Sequence, residues 1–176
     1  MFETKNLIIR PSEWGDLNDS FAWEQMPEVT EFFSIRDGQT MEDVVRKYVS
    51  DDNEPSARQF TILLKGEGEP KKIGRIVLGD IEEGWKAEIW RIYIADTALR
   101  GKGYGKEAME AIMAYCFDEL KLERLYLDHY TGNPASYLYL SLGFQYEGVL
   151  RKNCRKNGIL YDVHLMSMLK DEYYNR

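Results

Sequence analysis

Two periods of apolar and polar residues alternate along the chain, and the switches between them mark its elements. Leu7-Ile8-Ile9-Arg10-Pro11 reads as a short first strand halted by its proline. From Trp14 to Met26 the period lengthens to that of a helix. Leu17, Phe21 and Trp23 or Glu24 lie near its buried face, and Pro27 stands just past its end. Glu28 to Asp37 predicts an irregular or helical turn carrying Phe32 and Phe33. Thr40 is placed to cap a second helix, Met41 to Ser50, with Asp43 as an acid in its first turn. A solvated loop, Asp51 to Pro55, leads into strands over Arg58–Lys65 and Lys72–Ile81, joined by the turn Gly66-Glu67-Gly68-Glu69-Pro70.

The densest patterning runs from Glu88 to Tyr115. Ile89-Trp90-Arg91-Ile92-Tyr93-Ile94 is rich in β-branched and aromatic residues and reads as a mostly buried strand. Arg100-Gly101-Lys102-Gly103-Tyr104-Gly105-Lys106 follows. Beyond it Ala108, Met109, Ile112, Met113, Cys116 and Leu120 form an apolar stripe at helical spacing, with Lys106, Glu107, Glu110 and Asp118 facing water. Arg124 to His129 predicts another strand. Phe144–Arg151 and Gly158–Met168 predict two more, around the hairpin signal Asn157-Gly158. Strands on both sides of a central strand-loop-helix unit imply an α/β or α+β fold built on a mixed sheet. Its early strands are antiparallel, and it becomes parallel where a helix crosses over.

Composition narrows the function. The 176 residues suit one domain, 1–176, and 44% hydrophobic with 30% charged residues is ordinary for a globular protein. A net charge of −7 argues against nucleic-acid binding, which wants a basic face, and leans toward a cationic substrate such as an amine. Met1-Phe2-Glu3-Thr4-Lys5 lacks the basic-then-apolar run of a signal peptide, and no 18-residue apolar span exists, so no membrane association is expected. Cys116 and Cys154 are too few for a disulfide framework and lack metal-site spacing, which fits a reducing, cytoplasmic location. His129 and His164 also lack ligand spacing, and Asp128-His129 has no G-x-S-x-G nucleophile elbow to serve; no metal is expected.

Glycines without Cβ atoms before a helix start form a phosphate seat, because backbone N–H groups there are unpaired and sit at the positive end of the helix dipole. The loop fits none of the commoner nucleotide motifs. Gly105-Lys106 is followed by Glu107 rather than Ser or Thr, and no glycine stands at the upstream distance that a phosphate loop of nucleotide hydrolases requires. Gly101, Gly103 and Gly105 give G-x-G-x-G rather than the G-x-G-x-x-G of dinucleotide or kinase loops, and no His-Arg-Asp follows.

The loop does resemble the pyrophosphate loop of the GNAT acyl-coenzyme A transferases, Arg/Gln-x-x-Gly-x-Gly/Ala, with Arg100, Gly103 and Gly105 at the fixed positions. Asn133-Pro134-Ala135-Ser136 through Tyr139 to Leu142-Gly143-Phe144 resembles that family's second signature. The start of the chain is similar to the ribosomal-protein N-acetyltransferase and spermidine acetyltransferase branches. Two spacings depart from the pattern. Tyr139 follows Asn133 by six residues rather than seven, and one extra residue lies between Glu88 and Ile94.

The resemblance implies a central mixed sheet of about seven strands with helices on both faces, and acetyl-coenzyme A as co-substrate. It places the diphosphate on residues 100–106 and the pantetheine arm along the backbone of Ile92, Tyr93 and Ile94. Asn133 would face the thioester end, and Tyr139 would serve as general acid. A tyrosine with pKa of about 10 can protonate a thiolate whose conjugate acid lies near ~8.5. An alkylammonium with pKa of about 10.4 needs a base, and Glu88, one strand-length before the loop, is the leading candidate, with a solvated strand-end glutamate as the other reading of that residue. Glu24, Glu28 and Glu31 with Phe32, Phe33 and Trp90 read either as one wet face and one core face of a helical hairpin or as an acidic, aromatic acceptor site. The expected activity is direct attack of a primary amine, in a polyamine, another small amine or a protein N-terminus, on the thioester within a ternary complex. A coenzyme-binding sensor without turnover and a nucleotide-binding enzyme are the rivals. The last hairpin allows a homodimer.

Overall fold

A computed structural model describes residues 1–176 as one eight-stranded sheet flanked by six helices. The strands are β1 (Phe2–Glu3), β2 (Leu7–Pro11), β3 (Arg58–Leu64), β4 (Lys71–Glu82), β5 (Lys86–Ile94), β6 (Arg124–Tyr130), β7 (Gln145–Lys156) and β8 (Ile159–Leu169). Their spatial order is β1-β2-β3-β4-β5-β6-β8-β7, and every neighbouring pair is antiparallel except β5–β6. The helices are α1 (Leu17–Trp23), α2 (Pro27–Thr30), α3 (Met41–Asp52), α4 (Tyr104–Ala114), α5 (Ala135–Ser141) and α6 (Lys170–Tyr174). The eighth strand, beyond the seven expected, is the two-residue β1. It is held less by its own pattern than by Phe2, whose ring packs 5.4 Å from those of Phe60 and Tyr115.

Alternate residues of the early strands serve opposite layers. Leu7, Ile9, Phe60, Ile62, Ile76 and Leu78 are buried in one apolar core with Met109, Ile112 and Met113 of α4. Gln59 and Thr61 point the other way: Gln59 donates to the Tyr48 carbonyl in α3 (3.0 Å) and Thr61 to Asp16 (2.8 Å). Burial pushes the Asp16 carboxyl up, but hydrogen bonds from Arg10 and Lys72 more than offset this and hold it far below the usual range.

The helix predicted over Trp14–Met26 is shorter than its pattern. A 3-10 turn, Trp14–Asp16, precedes α1, which stops at Trp23. Met26 is extended (φ −82°, ψ 120°), because a residue before proline avoids the helical region, and Pro27 then opens α2. Thr40 and Asp43 form a capping box for α3, which runs two residues past Ser50. Asn157 (φ 49°) and Gly158 (φ 80°) are both left-handed, as the tight turn between β7 and β8 requires. No helix is long and apolar enough to cross a membrane.

The site is created by a defect in the sheet. The parallel strands β5 and β6 pair only at Lys86–Arg124, Ala87–Leu125 and Glu88–Tyr126, and beyond Glu88 they part. Meanwhile β5 stays on β4 as far as Ile94 opposite Gly74, and β6 stays on β8 to Tyr130. At the parting β5 carries a bulge: Ile89 faces Leu78 and Arg91 faces Val77, so Trp90 is unpaired. This is the extra residue between Glu88 and Ile94. Its indole lies against Gly79, where a Cβ would stand 2.0 Å from the ring.

Candidate active site

The parted strands open a cavity of about 470 Å³. Its walls bring together Ile92, Tyr93 and Ile94 of β5, the loop residues Arg100, Gly101, Gly103, Tyr104 and Gly105, and Asn133 and Tyr139. Residues some 45 positions apart thus meet because α4 and β6 carry the chain over the sheet and back. Lys102, Lys106 and Glu88, also singled out from the sequence, do not line this cavity. Lys106 is on the first turn of α4, 4.0 Å from Glu110.

On the β5 side, the Ala95 N–H donates to the Ile73 carbonyl (2.8 Å). The antiparallel alternation from that bond turns the Tyr93 amide and carbonyl toward β4 and leaves those of Ile92 and Ile94 facing the gap. A linear ligand with its own amides can therefore add to β5 as a strand. The Tyr93 side chain does structural work instead. Its hydroxyl donates to Glu24 (3.2 Å), and its ring packs edge-on against Trp23 and Phe33.

The loop ends in a helix start with no side-chain cap. Gly101 (φ 75°) and Gly103 (φ 88°) take left-handed conformations, and Gly103 is the N-cap of α4. The first intrahelical bond into this turn runs from Glu107 N–H to the Gly103 carbonyl (2.9 Å), so the amides of Tyr104, Gly105 and Lys106 are left for an external acceptor. A Cβ built on Gly101, Gly103 or Gly105 would meet no protein atom within 4 Å: the open space is the cradle an anion would fill. The Arg100 guanidinium reaches across the mouth to the Glu28 carbonyl (2.5 Å). The Glu107 carboxylate accepts from Asn6 N–H (2.7 Å) and Asn6 Nδ2 (2.8 Å), which anchors the start of α4 to the β1–β2 turn.

Opposite, the Asn133 Oδ1 accepts the Ala135 N–H (2.9 Å), capping α5 as its sequence suggests. At the other end Gly143 (φ 95°) closes the helix in a left-handed turn, with Phe144 N–H on the Tyr139 carbonyl (3.0 Å). Tyr139 is held between these caps, 8% exposed. Burial, helped by Asp128, pushes its phenol up to about 12, so it stays protonated across the physiological range.

Glu88 lies at the last paired position before the strands part, and its carboxylate accepts from the Trp90 indole N–H (3.2 Å). Burial, with the nearby charge of Asp128, raises it to about 7. Asp128 was not singled out as a site residue in the sequence; nothing in β6 announced that its side chain would face the gap. Glu28 and Glu31 line the main cavity with Phe32 and Phe33, whereas Glu24 is 5% exposed and holds Arg75 (3.1 Å) and Arg91 (2.8 Å), a structural role. Burial pushes both thiols up: Cys116 sits in the core and Cys154 is half-buried on β7. His129 stacks on His164 with ring centroids 5.2 Å apart, outside the main cavity.

A sheet split between two parallel strands, beside an uncapped glycine-rich helix start, defines the class of acyl-coenzyme A transferases. Residues 6–145 match the family model for the acetyltransferase (GNAT) domain. The uncharacterized N-acetyltransferase p20 of Bacillus licheniformis is 32% identical over 174 residues, which cover 97% of this chain and 96% of that protein. The spermidine N(1)-acetyltransferase of Vibrio cholerae is 30% identical over 137 residues, 77% of this chain and 75% of that one. A crystal structure of spermidine N-acetyltransferase from Vibrio cholerae in complex with CoA and spermine superposes with a TM-score of 0.84 at 25% identity, covering 98% of this chain and all of that one. The chain belongs to the GNAT acetyltransferase family and is an acetyl-coenzyme A-dependent acyltransferase.

Proposed function

We propose that this protein transfers the acetyl group of acetyl-coenzyme A to a primary amine by direct attack in a ternary complex. The observation that carries the reading is the single cavity onto which the free edge of β5, the glycine loop and Tyr139 all open. The diphosphate rests on the amides at the start of α4, the pantetheine arm runs along Ile92 and Ile94, and the thioester lies near Asn133 and Tyr139.

In the reaction the ammonium gives a proton to Glu88 through water, and the amine lone pair attacks the thioester carbonyl carbon. The C–S bond breaks as Tyr139 donates its proton to the departing thiolate, and the proton that the acylated nitrogen still has to lose returns to the Tyr139 phenolate, leaving the neutral amide and the free thiol. A carboxyl near 7 matches the base that this proton transfer needs at neutral pH. A covalent route through cysteine is disfavoured by chemistry, because burial keeps both thiols protonated and only a thiolate attacks well.

The acceptor is a small amine, with a polyamine favoured over a protein N-terminus. Glu28 and Glu31 at the cavity, the net charge of −7 and the similarity to spermidine acetyltransferases support this. A panel of polyamines, monoamines and N-terminal peptides, incubated with acetyl-coenzyme A and followed by thiol release, tests it. Turnover fastest with a polyamine is expected. Binding of the coenzyme without acetylation of any member would favour the sensor.

A further inference from the structure

A second, smaller hollow of about 60 Å³ adjoins the coenzyme cavity where β5 and β6 part, and shares Ile92, Asn133 and Tyr139 with it. Its chemistry is one-sided. Asp128 lines it, and no ion pair or hydrogen bond reaches that carboxylate; burial pushes it up, and the only neighbour that favours its ionised form is His129. Tyr130 lines it too. That side chain is 5% exposed and stacked on Tyr161 at 4.8 Å, and its buried hydroxyl has no nitrogen or oxygen partner, only the Cys154 thiol beside it. The single cationic residue on the wall, Arg91, is already committed to Glu24 (2.8 Å). Behind these, Glu88 pairs in register with Tyr126, two residues before Asp128 and so on the same face of β6.

Buried polar groups without partners are costly, and two of them on one wall make a site where a ligand can supply the missing bonds. The complement of a carboxylate and a phenol oxygen is a compact donor of several N–H groups carrying a positive charge. A primary ammonium has three such donors. The hollow is several times the ~10–15 Å³ that admits one water, which leaves room for an aminomethyl group.

We propose that this hollow is the niche that selects the acceptor's terminal primary ammonium, with Asp128 as counter-ion and the Tyr130 hydroxyl as second partner. It rests on the acetyl-transfer reading above and adds to it the residues that set specificity. The amine enters past Tyr139, so the group recognised as a cation is the one that stands beside the thioester once its proton has left. Asp128 and Tyr130 position the acceptor; neither exchanges a proton with the leaving thiolate.

The test is calorimetry of spermidine binding to protein first loaded with coenzyme A, comparing wild type with Asp128→Asn and Tyr130→Phe. Coenzyme binding is measured beforehand, and its absence in wild type would refute the transferase reading and the niche with it. Asp128→Asn should weaken spermidine at least tenfold and Tyr130→Phe about threefold, while coenzyme affinity stays within twofold. The unliganded Asp128→Asn protein should melt no lower than wild type, since it loses an uncompensated buried charge. Spermidine affinity within twofold of wild type in Asp128→Asn, or no spermidine binding to loaded wild type, overturns the niche while leaving the coenzyme site intact.

Discussion

Glu88 and Tyr139 are both pushed upward by burial, and the same shift serves opposite ends of the proposed reaction. For Glu88 the sign of the stability effect follows directly. Its carboxyl titrates near 7 in the folded chain and near ~4.3 unfolded, so between those values the folded state holds a proton that the unfolded state has lost. Its contribution to stability therefore declines as pH rises through that window. Melting curves of Glu88→Gln should show a gain over wild type that is larger at pH 8 than at pH 5, and the rise of kcat/KM through pH 7 should flatten. Tyr139→Phe should keep coenzyme affinity within twofold and lower kcat by roughly 10²–10⁴, the usual worth of a positioned proton donor; unchanged kinetics would remove the phenol from the mechanism. At this scale the sequence spoke unevenly. Tyr139 could be placed by its distance from Gly143, whereas Asp128 was one polar residue in an alternating strand until the parting of β5 and β6 gave it a cavity to face.

Among the elements, the β5 bulge does the most to shape the site. Trp90 is the added residue, and its indole takes the space that any side chain at position 79 would need. Gly79→Ala forces a contact of 2.0 Å, so the indole must move and the bulge must re-form. The substitution should cost about 1–3 kcal/mol, the range for overpacking a close-fitted site. Because Trp90 also holds Glu88, it should lower turnover more than it lowers coenzyme affinity; a variant as stable and active as wild type would show that the bulge is not rigid. The extra residue was countable in the sequence, but its placement as a bulge depends on β4 across the sheet. The start of α4 was more legible. Three glycines before a helical stripe are a local signal, and Gly101 and Gly103 have the left-handed φ values that such a loop demands. The first helix was overextended because its apolar period continues to Met26, while the constraint imposed by Pro27 acts backwards on the preceding residue.

Across the whole molecule, one parallel pair in an otherwise antiparallel sheet accounts for the position of the site. The crossover through α4 sets the glycine loop at one end of the gap, and the return through β6 sets α5 at its side. The order of strands, with β8 between β6 and β7, was not readable from hydrophobic period, since each late strand alternates in the same way. The motifs at Arg100–Gly105 and Asn133–Phe144 pointed to a mixed sheet with a coenzyme-binding strand-loop-helix unit, but not to this order. The measurement that tests the account most directly is a crystal structure of the protein with coenzyme A. The account predicts diphosphate oxygens about 3 Å from the amides of residues 103–106, the pantetheine amides bonded to Ile92 and Ile94, and the sulfur within reach of the Tyr139 hydroxyl. A coenzyme bound elsewhere, or a sulfur turned away from Tyr139 into solvent, would contradict it.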